Sequence, residues 1–430
     1  MARAKKEAAL TPEERLQAAL VPDWEWPYKL PENWCWLKLV ESFDNHTDSK
    51  KKIKQKDYLV KGKLAVVDQG QELIGGYTND VEKSYSGALP IVIFGDHTRC
   101  IKFVDFPFAQ GADGVKVLRP KPFYLPKAFY YALQSVNIPN LGYRRHFPLF
   151  NKFSIPLPPF AEQQRIVGRI ESLFAKLDEA KEKAQAVLDS FETRKAAILH
   201  KAFTGELTAK WREEHGVSID NWKTTRFDSV AAIRSNLVDP AEYQSFPHIA
   251  PDNIEKKTGV LLEYHTIAED GVTSGKHRFY SGQILYSKIR PYLSKAVVVD
   301  FDGLCSADMY PIEAYQNARC LWYYMLSDEF LLQASTAGSR SVLPKINQKE
   351  LSALTVHLPT NDREQEEIAR ILDELFDKEQ QTKEAAEIVL DQIDLMKKSI
   401  LARAFRGELG TNDPSEESAV ELLKEIIRRG

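Results

Sequence analysis

The end of one long amphipathic segment, AFTGEL at 202–207, returns as AFRGEL at 404–409. Counting back from that echo, an offset of 202 carries Ile198-Leu199 onto Ile400-Leu401, Val187-Leu188-Asp189 onto Val389-Leu390-Asp391, Phe174 onto Phe376 and Glu162-Gln163 onto Glu364-Gln365. Between Pro159 and Gly205 there is no proline and one glycine. The apolar positions Ile166, Ile170, Leu173, Leu177, Val187, Phe191 and Ile198 fall on steps of three and four, which is the seam of a long heptad helix. The second copy places Ile368, Leu372, Leu375, Val389, Ile393, Met396 and Ile400 in the same register. Gly205 and Gly407 then stop each helix, because glycine takes the left-handed conformation that closes a helix C-terminus at no steric cost. A period of 202 is too long for a solenoid, so the chain is a duplicated module, a globular block plus a long helix, twice. A helix of roughly 42 residues is about 63 Å long and cannot hide its seam alone. Two such helices should pair, and an antiparallel pairing gives each block its own helix start and the chain a pseudo-two-fold axis.

The blocks before the helices have a different grammar. KLAVVDQ, LPIVIFGD, RCIKFVDF and VKVL in the first, and RFYSGQILYSKI and KAVVVDFDG in the second, are β-branched and aromatic runs split by glycine-rich turns. Each block adds a helix near its end, FYLPKAFYYALQSV at 123–136 and CLWYYMLSDEFLLQAST at 320–336, and then a basic turn, GYRRHF or GSRSVLPK. The expected class is α+β: two strand-rich domains, each followed by a long helix, with the helices in an antiparallel coiled coil. The expected segments are an N-terminal extension (1–30), a first domain (31–157), a central spacer helix (158–208), a second domain (209–357), a C-terminal spacer helix (358–409) and an acidic tail (410–430).

Net charge is −3, but it is unevenly spread: 31–157 carries 18 Lys and Arg against 12 Asp and Glu, whereas 358–430 carries 11 against 18. A near-neutral average therefore does not exclude a nucleic-acid partner for the first block. Cys35, Cys100, Cys305 and Cys320 are scattered without a CxxC pair, so no zinc site or disulfide framework is expected. The N-terminus lacks an apolar targeting core and no run suits a membrane span, which predicts a cytoplasmic protein with no membrane partner.

These features resemble the specificity subunit of bacterial type I restriction-modification systems. The resemblance rests on IPLPPFAEQQRIV (155–167) with its heptad helix and AFTGELT, on FYSGQILYSKIRPYLSKAVV (279–298) with FDGLCSADMYPI (301–312), and on PIVIFGDHTRCIKFVDFPFAQGADGVKVL (90–118) and GYRRHFPLFNKFSIPLPP (142–159). It implies two target recognition domains, each reading half of a split asymmetric sequence in double-stranded DNA, with the coiled coil setting the spacer. It also implies two modification subunits that carry S-adenosylmethionine and methylate adenine, restriction subunits that cleave DNA, and no cofactor in this chain. HLPTNDREQEEI departs from the family's PLPPxxEQ, which puts the turn into the second helix in doubt; Asn361 or Asp362 could cap it instead.

A DNA reader needs Lys and Arg for phosphates and a few side chains at base edges. The candidates are Lys50, Lys51, Lys52 and Lys54 in a lysine run, Arg99 in GDHTR, Arg144 and Arg145 in GYRRHF, Lys276 and Arg278 in SGKHRF, Lys288 and Arg290 in SKIRPYL, and Arg340 in GSRSVLP; some must be ordinary surface charge. GDHTR lacks the nucleophile and oxyanion partners of a catalytic His-Asp pair, and PDNIEKK packs its acidic residues too closely to surround a metal. With no [DNS]PP[FYW] strand end for a flipped adenine, the chain reads as non-catalytic and without a metal site. A coiled-coil adaptor whose blocks bind proteins, and a self-sufficient methyltransferase, are the competing readings.

Overall fold

The computed structural model describes residues 11–338 and 344–429. The chain forms two units, one drawn from residues up to Lys183 together with Val389 onward, the other from Ala184 to Ile388.

In the first unit, strands Phe43–Asn45, Val115–Pro120, Ile91–Gly95 and Ile101–Val104 lie in that order in an antiparallel sheet. The IVIF run is buried on both faces because strand alternation divides it between two cores. Val92 and Phe94 join the aromatic cluster that includes Phe43, Phe129 and Phe150, while Ile91 and Ile93 face Val67, Phe108 and Val117. A three-stranded sheet, Gly76–Thr78, Leu64–Val67 and Phe108–Gln110, packs beside it. The second unit repeats the plan with Ala231–Ile233, Met309–Ala314, Ile284–Ser287 and Ala296–Val298. Here Ile284 and Tyr286 enter one core and Leu285 the other. Its second sheet is larger, five strands in the order Leu237–Val238, Lys276–Phe279, Gly303–Cys305, Pro247–Ile249 and His265–Thr266.

A two-stranded antiparallel pair closes each domain, Cys35–Lys38 with Ser154–Leu157 and Trp222–Arg226 with Thr355–Pro359. The strand that closes each domain leads directly into its long helix. Asn361 caps the second helix, its Oδ1 accepting from the backbone of Arg363 at 3.0 Å and Glu364 at 3.3 Å. That helix is continuous over Asp362–Ala404. The first, expected as one piece, is two: Phe160–Asp189 and Phe191–Phe203. The hydroxyl of Ser190 donates to the carbonyls of Ala186 and Val187, and Arg194 also donates to Val187, so side chains occupy the Val187 acceptor that the helical ladder would use, while Ala186 keeps its bond from the Ser190 amide.

Within each unit the helical segments run antiparallel. In the first, Asp178 meets Lys397 at 2.5 Å and Lys181 meets Asp394 at 3.9 Å; in the second, Lys383 covers the Phe191 ring and Arg194 meets Glu379 at 2.8 Å. Ile166, Ile170, Ile368, Leu372 and Ile393 are buried, and Leu173, Leu177, Val187, Phe191, Ile198, Leu375 and Ile400 are partly so. Val389 and Met396, expected on the seam, are 38% and 46% exposed. The inward row instead steps by four twice, through Ile368, Leu372 and Phe376, and continues through Glu379, Lys383, Ala386, Leu390, Ile393 and Lys397. Lys383 and Lys397 lay their apolar stems along the interface with the ammonium groups over Phe191 and Phe174, so seam positions are held by residues that a hydrophobic pattern passes over.

Gly205 and Gly407 are left-handed, with φ of 80° and 76°. Each also sits tightly against the entry of a domain: a Cβ on Gly205 would lie 2.8 Å from Ile219 Cδ1, and one on Gly407 would lie 2.4 Å from Pro31 Cγ. Beside them is a buried carboxylate latch. Glu364 accepts from Trp222 Nε1 (3.0 Å), Thr208 (2.8 Å), Arg212 (2.7 Å) and Asn221 (3.0 Å). Its counterpart Glu162 accepts from Trp34 Nε1 (2.7 Å), Thr411 (3.2 Å) and Asn412 (2.8 Å). Burial alone would raise the Glu364 carboxyl, yet the four donors hold it below the ordinary range. The described parts of the N-terminal extension and the acidic tail join the first unit: Pro12–Ala19 packs on Ala419–Arg429, with Leu16, Ala19, Ala419 and Leu423 in its core.

Candidate nucleic-acid interface

In the first domain the turn after strand Ile91–Gly95 meets the loop 141–147. Buried His146 ties them: its Nδ1 lies 2.9 Å from the Asp96 carbonyl, its Nε2 accepts from the Leu141 amide, and the Asp96 carboxylate accepts from the Phe147 amide at 2.7 Å. Asp96 is therefore spent on shaping the loop. The loop tip it supports presents Tyr143, 86% exposed, with its ring stacked on His97 at 4.8 Å and 16°. Arg144 and Arg145 follow, both exposed and without an ion pair among the described residues. A stacked aromatic pair beside two free arginines suits bases and phosphates together. Arg99, by contrast, turns inward at φ 61° and gives Nη1 to the Ile138 carbonyl at 2.9 Å.

The lysine run is not one continuous strip. Ile53 in its middle is buried, and Lys51 is tethered to the Ser84 carbonyl at 3.1 Å, whereas Lys50 and Lys54 are exposed and Lys52 is half-buried.

The second domain separates its candidates more sharply. Lys276 is buried and donates to Ser274, with burial pushing its ammonium below the ordinary value. Lys288 donates to the Ala307 carbonyl at 2.5 Å and covers the Tyr310 ring. Arg290 is exposed at φ 49°, with its backbone clipped to Pro344 at 2.8 Å. A non-glycine residue in the left-handed region costs about 1 kcal/mol or more, and such strain collects at functional positions. Arg278 is enclosed by aromatic rings, and Arg340 lies outside the described residues.

Composition and spacing did not single out Tyr143, the His97 stack or the Glu–Trp latch. The latch had a usable signal: PENW at 31–34 and IDNW at 219–222 both place Asn-Trp where the chain enters a domain's closing strand pair.

Among the described residues no group of three His, Cys, Asp or Glu could hold a metal ion, and no helix is long and apolar enough to cross a membrane.

Comparisons with known proteins bear on the family and the fold. Residues 219–389 match the family described as "Type I restriction modification DNA specificity domain". The EcoDI type I restriction enzyme specificity subunit of Escherichia coli is 38% identical over 71% of this chain and 77% of its own length. The EcoKI specificity subunit of Escherichia coli strain K12 is 25% identical over 64% of each chain. Among solved structures, the HsdS subunit from Thermoanaerobacter tengcongensis covers 90% of this chain with a TM-score of 0.56 and 18% identity. A structure reported on assembly and conformational transition of the type I R-M system covers 89% with a TM-score of 0.62, also at 18% identity. At that identity the structural likeness speaks for the fold.

Proposed function

We propose a working mechanism for a chain that belongs to the DNA specificity subunits of type I restriction-modification systems. Its role is DNA recognition, and the catalytic chemistry belongs to other subunits. Each strand-rich domain reads one half of a bipartite asymmetric site. The two long helices join the readers, and two modification subunits and the restriction subunits assemble on this scaffold in the cytoplasm. S-adenosylmethionine is held by the modification subunits, which methylate adenine.

The observation that carries the reading is the duplication of the closing machinery. Glu162 with Trp34 and Glu364 with Trp222 fasten two domains to two helices by the same chemistry. Lys127–Glu171 and Arg319–Asp373 then pin each domain's own helix to equivalent positions 202 residues apart. Two independently built readers on equivalent mounts suit a site with two unlike halves. The arginines of the 141–147 loop supply phosphate attraction without base information, and side chains on the domain sheets supply discrimination.

The test is to express the chain with its modification subunit and map methylated adenines across a genome by single-molecule sequencing. A bipartite motif is expected, and exchanging residues 33–150 for those of another family member should alter one half only. A stable complex that methylates no motif would favour a protein-binding adaptor instead.

A further inference from the structure

The five-stranded sheet of the second domain has one face turned to the core, where Ile249, Phe279 and Cys305 are buried. Alternation sends Arg278, Leu304 and His248 to the other face, and pairing aligns them: Arg278 opposite Leu304, Leu304 opposite His248, His248 opposite His265. This cross-strand row carries one arginine and two histidines. Its one acid, Asp270, is taken up by both histidines, at 2.6 Å from His248 Nδ1 and 3.2 Å from His265 Nδ1.

The Arg278 guanidinium has no carboxylate and no hydrogen-bond acceptor among the described residues, and its Nε is buried without one. His248 Nε2 is likewise buried and unpartnered. What holds the guanidinium is a cage of rings, with Cζ 4.8 Å from the Tyr280 centroid, 5.5 Å from Tyr243 and 5.9 Å from Phe246. Tyr243 and Phe246 brace each other edge-on at 5.2 Å. The backbone of Arg278 is fixed in a strand flanked on both sides. A half-buried arginine without an internal acceptor is costly unless something outside supplies one. With Nε buried, the two terminal Nη groups are the donors left free to bind.

We propose that Arg278 is a specificity-determining residue that reads a guanine in the half-site of the second domain, its fork donating to O6 and N7. The assignment rests on the DNA-reading role proposed above. Guanine fits better than phosphate because the donor is flanked by rings and sits on a strand paired on both sides. Arg290, exposed at a turn, has the freedom suited to a backbone contact. A ring-flanked guanidinium on a fixed strand suits a bidentate base contact.

The complete complex with its modification subunits is assayed for methyl transfer to duplexes carrying each base pair at every position of the second half-site. Wild type should prefer G·C at one position by about 10- to 100-fold. Arg278→Gln should flatten the preference there and leave the other positions and the first half-site unchanged. Arg278→Lys, which keeps the charge but not the fork, should lose most of it too. The proposal is overturned by a second half-site made only of A·T pairs, or by an undiminished guanine preference in Arg278→Gln. A uniform loss across all sequences would identify a phosphate contact and overturn it as well. If both variants methylate nothing, Arg278 is a structural pillar of the domain and the assignment fails. If the wild-type complex methylates no bipartite motif, it is the DNA-reading role that fails.

Discussion

Lys195 and Lys397 occupy equivalent places in the duplicated helices, and each ammonium lies over a phenylalanine, Phe376 at 5.7 Å and Phe174 at 5.1 Å. Their acids differ. Lys397 has Asp178, whereas the position 202 residues beyond Asp178 is Gln380, so Lys195 is left with the Lys257 carbonyl. Burial lowers the Lys195 ammonium to about 8, with Glu192 and Glu255 opposing the shift. Because its folded value lies below the ordinary 10.5, the unfolded chain binds the extra proton between those limits. Stability should therefore rise as pH climbs from 8 towards 10.5, and the full cost of the buried charge is present below 8. Lys195→Met is expected to stabilise the second unit by about 1–3 kcal/mol at pH 7. In chemical denaturation between pH 7 and 10.5, that advantage should shrink with rising pH. An advantage independent of pH would mean that packing, not charge, sets the effect.

At the scale of elements, the latch decides how a helix end, a helix start and a domain entry stay together. Glu364 has four donors, among them Arg212, which is left without its counter-charge if the carboxylate is removed. Glu364→Gln should cost about 3 kcal/mol or more, since a lone buried charge is worse than none. The depressed folded pKa gives the sign with pH. The carboxylate's contribution is complete above its ordinary value of 4.5 and is lost as pH falls through the lower folded value. Acid unfolding should consequently be shallower in Glu364→Gln than in wild type, measured by far-ultraviolet circular dichroism from pH 7 to 2. Half of the latch was legible in the sequence. The 202-residue offset aligned Glu162 with Glu364, but their tryptophan partners are 188 residues apart, because the domains differ in length, and drop out of that register. The helices were legible from their period, and the slip of the seam was not. It turns on lysines at inward positions and on Phe376 rather than Leu375 packing against Tyr323, at 5.5 Å. The cage of Arg278 left no pattern either: alternation puts Lys276 and Arg278 on one face, but Tyr243 and Phe246 arrive from a turn more than 30 residues upstream.

For the whole molecule, the long helices matter because they carry the chain from one unit into the other. The boundary after Lys183 falls inside helix Phe160–Asp189, and the boundary before Val389 falls inside helix Asp362–Ala404. Their length is thus available as a measure of the gap between half-sites, provided that the seam survives a change of length. Removing 180–186 together with 382–388 takes seven residues from each helix. The two stretches match under the 202-residue offset, and each is one full heptad, so each helix keeps the phase of its own seam. Seven residues at 1.5 Å each shorten the helices by about 10 Å, close to three base pairs at 3.4 Å. The methylated motif of the shortened complex should keep both half-sites and lose about three unspecified positions between them. Ser190, whose hydroxyl interrupts the first helix, stays in the shortened chain, so a kink there cannot absorb the change unless it already sets the spacing. A motif with its original gap would show that the distance is fixed by how DNA bends around the readers and not by the helices that join them.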